Sequence, residues 1–289
     1  MGGIFKTFGN TWSITKTSMS VLRKDKELLL FPFFAGIGVL IIAGITAAIL
    51  ASMGTFDRLD TAGEESQLKA GDIIVGVLAL VAVMFVVNYF NAALMGAARH
   101  RLKGGDPNIW TGFAAVNKHI VAVFGWSVIS AIIFILLTYI RGKTDSFLGR
   151  MLVDIVGAVW AYMTFFVVPI LIVEGVGPIE AIKRSKTYFS RTWGEQLVSG
   201  FGFGIIRFIA LIPAIAAGLI LAPISPVAAI IAVVPLAGIA LAVVNALEGI
   251  FKMALYEHVA EDAQTQFFEQ DVLSNAYSAG GTSAFRGAR

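Results

Sequence analysis

Long apolar runs limit what this chain can fold into more than any other feature. Runs of about 20 residues or more, the length an α-helix needs to cross ~30 Å of hydrocarbon, recur along the sequence. Only 14% of the residues are charged, against about 25% in soluble domains, and the mean hydropathy is +0.81. We therefore expect an all-α, polytopic integral membrane protein.

Six of these runs are long enough to be transmembrane helices. They cover residues 28–53, 73–98, 120–140, 151–173, 197–221 and 227–251. The fifth and sixth are joined by a very short link and are rich in Gly and Pro, so we expect a kinked antiparallel hairpin. Residues 1–278 are then one six-span membrane domain, and residues 279–289 are a flexible tail.

Four amphipathic segments lie between or beside the runs. They are residues 4–24, 108–118, 178–196 and 253–276. Apolar groups at helical spacing among charged ones predict helices that lie in the membrane interface. For residues 4–24, whose aromatic anchor is Trp12, a helix packed on a neighbouring loop is the alternative.

Lysine and arginine are distributed unevenly between the two sides of the membrane. With the N-terminus in the cytoplasm, fourteen of them lie in cytoplasmic segments and five on the other side, before the tail arginines are counted. The positive-inside rule then favours cytoplasmic N- and C-termini. The mildly basic loop at residues 141–150 runs against the rule. The expected location is the inner, or plasma, membrane.

The order of the segments is compatible with an internal repeat. Three times, a cytoplasmic amphipathic segment with an aromatic anchor precedes two apolar runs. A threefold duplication of a two-span unit would produce this order. Any six-span protein with basic cytoplasmic loops would show it too, so both explanations stay open.

The third of these units contains a distinctive motif. Residues Val168–Leu197 read VPILIVEGVGPIEAIKRSKTYFSRTWGEQL. This stretch resembles the prokaryotic membrane domain associated with glycerophosphoryl diester phosphodiesterase, and the opening WSITKTSMSVLRKDKELLLFPF is similar to uncharacterised prokaryotic six-span proteins. The resemblance implies a six-helix membrane domain of poorly defined activity. Six spans leave no room for the ~250-residue hydrolase barrel, so phosphodiesterase chemistry is not expected.

Residues 178–196, within that motif, are expected to form a basic helix on the membrane surface. Pro178 suits the first helical position, and Glu180 suits the electropositive first turn. Basic side chains would face anionic headgroups or water, while apolar ones would enter the acyl boundary. The basic set is Lys183, Arg184, Lys186 and Arg191, and the apolar set is Ile182, Phe189 and Trp193.

Arg207 is the most informative single residue. It lies about 15 Å inside the fifth apolar run at 1.5 Å per residue, where a charge is costly unless it pairs or reaches the surface. Glu248 is the expected partner, with Asn245 beside it. Two interpretations stay open: a structural ion pair that fixes the register of two helices, or a polar site for an ion, a lipid headgroup or a solute.

Asn88 and Asn91 lie three residues apart on the second apolar run, so they share one face of a helix. They could join the polar cluster of Arg207. The alternative is ordinary hydrogen bonding between helices, which is worth only ~0.6–2 kcal/mol in membranes.

No motif for catalysis, cofactor binding or metal binding is found in the sequence. Cysteine is absent, which excludes disulfides and thiolate chemistry. His258 with Glu261 and Asp262 has metal-ligand spacing, but a solvated tail face explains it better. The basic loops lack the charge density of a nucleic-acid binder. We expect no enzyme activity, no cofactor and no metal.

Two functions fit these observations. The favoured one is a non-enzymatic membrane protein that interacts with lipid or scaffolds a membrane-protein assembly. Its partners would be membrane lipids, a membrane or cytoplasmic protein docked on the acidic C-terminal helix, or a second copy of the chain. The alternative is a transporter of an ion, small solute or lipid that uses the polar site between the fifth and sixth spans. A polar cavity beside Arg207 would favour the transporter.

Overall fold

The computed structural model describes residues 15–61, 68–193 and 203–261. These residues form helices with no strand among them, so the all-α prediction is confirmed for this part of the chain. A 3₁₀ turn, Lys26–Leu29, separates the first two helices. The helices are α1 (residues 15–24), α2 (Leu30–Ser52), α3 (Thr55–Thr61), α4 (Ala70–Leu102), α5 (Ile109–Asn117), α6 (Ile120–Gly142), α7 (Phe147–Met163), α8 (Val167–Val173), α9 (Pro178–Trp193), α10 (Phe203–Leu221) and α11 (Pro226–Glu261).

Five helical segments are long and apolar enough to cross a membrane. They are Lys26–Ser52, Ala70–Leu102, Ile120–Gly142, Phe147–Val173 and Pro226–Glu261. These five indicate a multi-pass membrane protein. The predicted fifth span, residues 197–221, begins in residues outside the described ranges, and the apolar helix found there, Ile206–Leu221, is shorter than the five.

Other predicted features also lie outside the described residues. They are Trp12, the first part of the 4–24 segment, residues 262–276 of the predicted C-terminal helix, and the tail at 279–289. Where the structure describes the segments predicted to lie in the interface, they are helical, as α1, α5 and α9.

The fourth apolar run is not one continuous helix. α7 ends at Met163, and a turn of three residues precedes α8. The backbone N–H of Phe166, at the start of α8, donates to the Ser185 hydroxyl oxygen at 3.0 Å. Ser185 belongs to α9 and is fully buried. A side chain from a different helix therefore satisfies a backbone group at the break, which hydropathy alone could not reveal.

The last apolar run continues further than its sequence suggests. The predicted span ends at residue 251 and a separate surface helix is predicted from residue 253, whereas α11 runs unbroken from Pro226 to Glu261. Met253, Ala254 and Leu255 are completely buried. Packing against neighbouring helices keeps this part of α11 in the interior, although Lys252 and Glu257 make its sequence look amphipathic.

Buried side chains gather at one end of the molecule, where α4 and α11 finish and α9 lies; we call it the basic end. Most come from the C-terminal halves of α4 and α11 and from α1, α8 and α9, and others come from α2, α5 and α6. The bulkiest include Phe31, Phe166, Phe251 and Tyr256. Toward the other end, apolar side chains of α2, α4, α6, α7, α10 and α11 are exposed, as suits helices whose solvent is lipid.

The short helix α5 packs closely on α4 at the basic end. Its first turn is capped by Asn108, whose side-chain oxygen accepts a hydrogen bond from the Thr111 backbone N–H at 3.0 Å, as capping residues do. A Cβ atom on Gly112 would lie 2.5 Å from the carbonyl oxygen of Ala93 in α4. Glycine therefore permits the close approach of these two helices.

Candidate functional site

The apolar face of α9 is turned toward the protein. Ala181, Ser185 and Phe189 recur every fourth residue, so they share a face, and all three are buried. The Phe189 ring lies 5.8 Å from that of Tyr162 and 6.4 Å from that of Phe165. The prediction that Phe189 enters the acyl boundary is therefore wrong, because α7 and the turn before α8 supply aromatic partners for it.

Glu174 joins three helices at the basic end. Its carboxylate accepts hydrogen bonds from Arg184 at 2.5 Å, Tyr188 at 3.1 Å and Tyr256 at 2.9 Å. Arg184 and Tyr188 belong to α9, Tyr256 to α11, and Glu174 follows α8. We call these four residues the Glu174 cluster. The Glu174 side chain is 15% exposed, so its charge is stabilised mainly by these donors.

Arg184, which was predicted to face anionic headgroups or water, is 41% exposed and binds carboxylates of the chain itself. Besides Glu174, it contacts Glu180 at 3.0 Å. The hydrogen bonds from Glu174 and then Glu180 raise the pKa of Arg184 above its ordinary value, so the guanidinium remains charged. Glu174 could not be recognised as its partner beforehand, since the turn between α8 and α9 brings the two together.

The outward face of α9 carries the lysines, as predicted. Lys183 is 72% exposed, with Glu180 at 4.0 Å, and Lys186 is also exposed. The side chains of Arg191 and Trp193 lie outside the described residues, although both positions belong to the helix.

Gly175 makes the sharp turn between α8 and α9. Its φ angle is +66°, in the left-handed region that glycine adopts readily. A Cβ atom there would also lie 2.9 Å from the His119 ring. A Cβ atom on Gly177 would have nothing within 4 Å of it, so this turn requires glycine at position 175 and not at position 177.

The predicted contact between Arg207 and Glu248 is present. The Arg207 guanidinium donates to the Glu248 carboxylate at 3.0 Å and to the Asn245 side-chain oxygen at 3.3 Å. Lys252, one turn along α11, contacts the other oxygen of Glu248 at 2.8 Å. We call these four residues the Arg207 cluster. The Arg207 side chain is 44% exposed, and that of Glu248 is 24% exposed.

The two asparagines of α4 do not extend this cluster. Asn88 donates to the Ser127 hydroxyl at 3.2 Å, which links α4 to α6. Asn91 is half-buried one turn further along α4. Asn88 therefore makes an ordinary hydrogen bond between helices, which was the alternative prediction, because α6 rather than α10 packs against its face of α4.

A third cluster was missed by the sequence analysis. Arg99 contacts Glu257 at 2.5 Å and Glu261 at 2.6 Å, and Lys103 contacts the same carboxylates at 3.3 and 2.9 Å. We call these four residues the Glu257 cluster. The two cations are four residues apart on α4, and the two glutamates are four residues apart on α11. This spacing is the feature of the sequence that could have indicated the cluster. The two glutamates had been assigned to an acidic docking surface, but they bind α4.

Two shallow concavities of about 350 Å³ each open at the basic end. One lies on α9, and the other lies beside the 3₁₀ turn and the loop before α5. The first is lined by Glu180, Lys183, Arg184, Thr187 and Tyr188, and the second by Arg23, Lys24, Asp25, Lys26, Glu27, Asp106, Pro107 and Asn108. Within the described ranges, no three His, Cys, Asp or Glu side chains gather closely enough to hold a metal ion.

Comparison with known proteins supplies a family but no function. No curated protein and no solved structure matches the chain. One family model matches residues 70–267, from the start of α4 to beyond the described end of α11. The match spans more than half of the sequence and includes all three charged clusters. The chain belongs to a family of unknown function, DUF6159.

Proposed function

We propose that this chain is a non-enzymatic membrane protein that interacts with lipid and scaffolds a membrane-protein assembly. The observation that carries the proposal is the exposure of α7. None of its 17 residues is buried, although it belongs to a segment apolar enough to cross a membrane. Such a helix has most of its surface available for another helix.

The exposed surface of α7 is continuous and apolar over most of its length. Leu148, Leu152, Ile155 and Val159 recur at helical spacing and are 49–65% exposed. Helices associate in membranes through van der Waals packing and interhelical hydrogen bonds rather than through the hydrophobic effect. A partner helix could pack along this row without displacing any helix of the chain.

A polar pair lies beside this row. Asp154 contacts Arg141 of α6 at 2.6 Å, and the two side chains are 52% and 57% exposed. Ionisable groups within spans usually face other protein or a water-filled cavity. Arg141 lies at the end of α6, beside the loop, whereas Asp154 lies within α7. A partner that covers α7 would therefore shield the half-exposed Asp154 side chain from lipid, which supports a protein neighbour.

Site-specific photo-crosslinking in native membranes tests the scaffold proposal. A photoreactive residue replaces Ile155 of α7, and a second variant carries it at Leu40 of α2, which is 64% exposed. We expect one discrete protein adduct from Ile155, because the polar pair beside α7 favours a protein neighbour there. We expect lipid adducts from Leu40, because that argument does not apply to α2. Mass spectrometry of the adduct shows whether it is a second copy or another protein. Lipid adducts alone at both positions would contradict the scaffold.

We also propose six spans with cytoplasmic termini in the inner membrane. α10 packs along α11 as its antiparallel neighbour, and its 19 residues extend about 28 Å at 1.5 Å per residue. That is close to the ~30 Å of the hydrocarbon core. The uneven distribution of Lys and Arg supports the orientation. The threefold repeat stays a prediction.

We also propose that this chain is related to the membrane domain associated with glycerophosphoryl diester phosphodiesterase. The motif residues that carry the resemblance form contacts within this chain: Glu174 with Arg184, and Ser185 with the Phe166 backbone. If the relation holds, an experimental structure of such a domain should show the corresponding carboxylate–arginine and serine–backbone contacts. Their absence would leave only a likeness of sequence.

The transporter is the second candidate, and one observation favours it. The Arg207 cluster lies between two continuous helices that each contain an interior proline, Pro213 and Pro235, and the binding sites of several transporters are formed by helices interrupted by Gly or Pro. Purified protein in liposomes should then carry charge or solute across the membrane, and Arg207→Ala together with Glu248→Ala should abolish the flux. Unchanged flux in this double variant would reject the site.

A further inference from the structure

We propose that the Arg207 cluster binds the phosphate of an anionic phospholipid at the cytoplasmic surface of the membrane. This inference rests on the proposed function, because it takes the chain to interact with lipid, and it identifies where and through which chemical group. Three properties of the cluster carry it: its depth, its net charge and the surface around it.

The cluster lies at the depth of the headgroups. Glu248 is about 33 Å along α11 from Pro226 at 1.5 Å per residue, which is close to the ~30 Å thickness of the hydrocarbon. The Arg207 backbone lies deeper, because it is about 21 Å along α10 from Leu221 by the same measure. Its long side chain reaches Glu248, so the guanidinium extends from the apolar layer toward the interface, as arginine commonly does.

The cluster has one more cation than it has anions. Arg207 and Lys252 share the single carboxylate of Glu248, so the three ionised groups leave a net charge of about +1 at neutral pH. Lys252 also lies 5.0 Å from the centre of the Phe165 ring. The Glu257 cluster, by contrast, has two cations and two carboxylates, and Arg184 of the Glu174 cluster contacts Glu180 as well as Glu174. The residual positive charge matches one phosphodiester, which carries a single negative charge.

The surface around Arg207 is open to lipid. Phe208 and Ile209, the next residues of α10, are 64% and 48% exposed, and the Arg207 side chain is itself 44% exposed. Its hydrogen bonds to Glu248 and Asn245 both come from one terminal nitrogen, Nη2. The planar guanidinium presents five donors and suits bidentate phosphate contacts. A phospholipid could lay its chains along α10 and bring its phosphate to this group.

Lipid retention by the purified full-length protein tests the site. Native mass spectrometry compares the retention of phosphatidylglycerol with that of phosphatidylcholine of the same acyl chains. Wild type should prefer phosphatidylglycerol. Arg207→Gln should reduce this preference about tenfold, equivalent to about 1.4 kcal/mol, and Lys252→Gln should reduce it less. Lys118→Gln, the control, removes an exposed cation outside the cluster and should leave the preference unchanged.

Glu248→Gln separates a lipid site from a structural ion pair. It removes the only anion of the cluster, so a lipid site should hold phosphatidylglycerol at least as strongly as wild type does, even where the protein melts at a lower temperature. A structural ion pair would instead lower stability in both Arg207→Gln and Glu248→Gln without changing lipid preference. That outcome overturns the proposal. Where Arg207→Gln does not fold, the opposite shifts expected of Glu248→Gln and Lys252→Gln still decide it.

A soluble phosphate tests the source of the ligand. Inorganic phosphate at millimolar concentration should neither displace phosphatidylglycerol nor raise the melting temperature, since it lacks the acyl chains that lie along α10. Displacement by inorganic phosphate would show a site for a free anion and overturn the lipid assignment. The crosslinking at Ile155 does not depend on Arg207, so failure of the lipid site and failure of the scaffold are observed separately.

Discussion

Glu174 shows how one side chain determines the arrangement of several helices. In the sequence it is the acidic residue that closes an apolar run. In the structure its carboxylate accepts hydrogen bonds from Arg184, Tyr188 and Tyr256. Hydrogen bonds to charged groups contribute about 1.5–3 kcal/mol each, and a buried donor left without a partner is costly. Glu174 is therefore a sensitive position for stability.

Replacing Glu174 by alanine should destabilise the protein by about 2–3 kcal/mol. The Tyr256 hydroxyl is the main reason, because that residue is 1% exposed and would lose its acceptor. Glu180→Ala is the matched control: its side chain is 45% exposed and also contacts Arg184. A surface pair of that kind is worth about 0.3–0.5 kcal/mol. Thermal unfolding in mild detergent measures both, and equal losses would contradict the role given to Glu174.

At the scale of elements, the turn between α8 and α9 positions the motif that the sequence analysis singled out. The turn reverses the chain so that Ser185 reaches the Phe166 backbone and Arg184 reaches Glu174. Gly175 makes this possible through its positive φ angle. The sequence places two glycines here, and only the folded backbone shows that Gly175, and not Gly177, has a positive φ angle.

Gly175→Ala should destabilise the protein by about 1–2 kcal/mol, the cost of a left-handed backbone for a residue with a Cβ atom. Contact with the His119 ring at 2.9 Å adds to this unless the ring moves. Gly177→Ala, where nothing lies within 4 Å of the added atom, should be close to neutral. Melting temperatures of the two variants, purified in one detergent, check the difference. A larger loss for Gly177→Ala would mean that the turn is made elsewhere.

At the scale of the whole molecule, ion pairs and buried side chains are concentrated at the basic end. The Glu174, Arg207 and Glu257 clusters all include residues of α11, which they connect to α8 and α9, to α10 and to α4. The apolar halves of the spans are far more exposed. The basic end therefore holds the helices together, while their remaining surface is available to lipid and partner helices.

Labelling of single cysteines tests the proposed six spans, and the chain is suited to it because it contains no cysteine. Asp145→Cys lies between α6 and α7, Ile224→Cys between α10 and α11, and Lys186→Cys on α9. A membrane-impermeant maleimide should label the first two in intact cells and the third only after permeabilisation.

Ile224 decides between six spans and five. Its side chain is 77% exposed, so poor access would not explain weak labelling. If α10 does not cross the membrane, Ile224→Cys will behave like Lys186→Cys and react only in permeabilised cells. That result would contradict the six-span topology and also move the residues after α11 to the other side.

The helical membrane class, the approximate positions of the apolar runs and the pairing of Arg207 with Glu248 could all be predicted from the order of residues. Apolar length and the cost of a charge in hydrocarbon are local properties, so they can be read along the chain. Which of the other charged side chains contact each other could be learned only from the packing of the helices. Arg184 contacts Glu174, and Glu257 contacts Arg99. These contacts could not be predicted, because they depend on how α9 packs against α8 and how α11 packs against α4. The same packing buries Phe189. It also extends α11 beyond residue 251, because burial at the basic end stabilises a helix whose sequence resembles a surface segment.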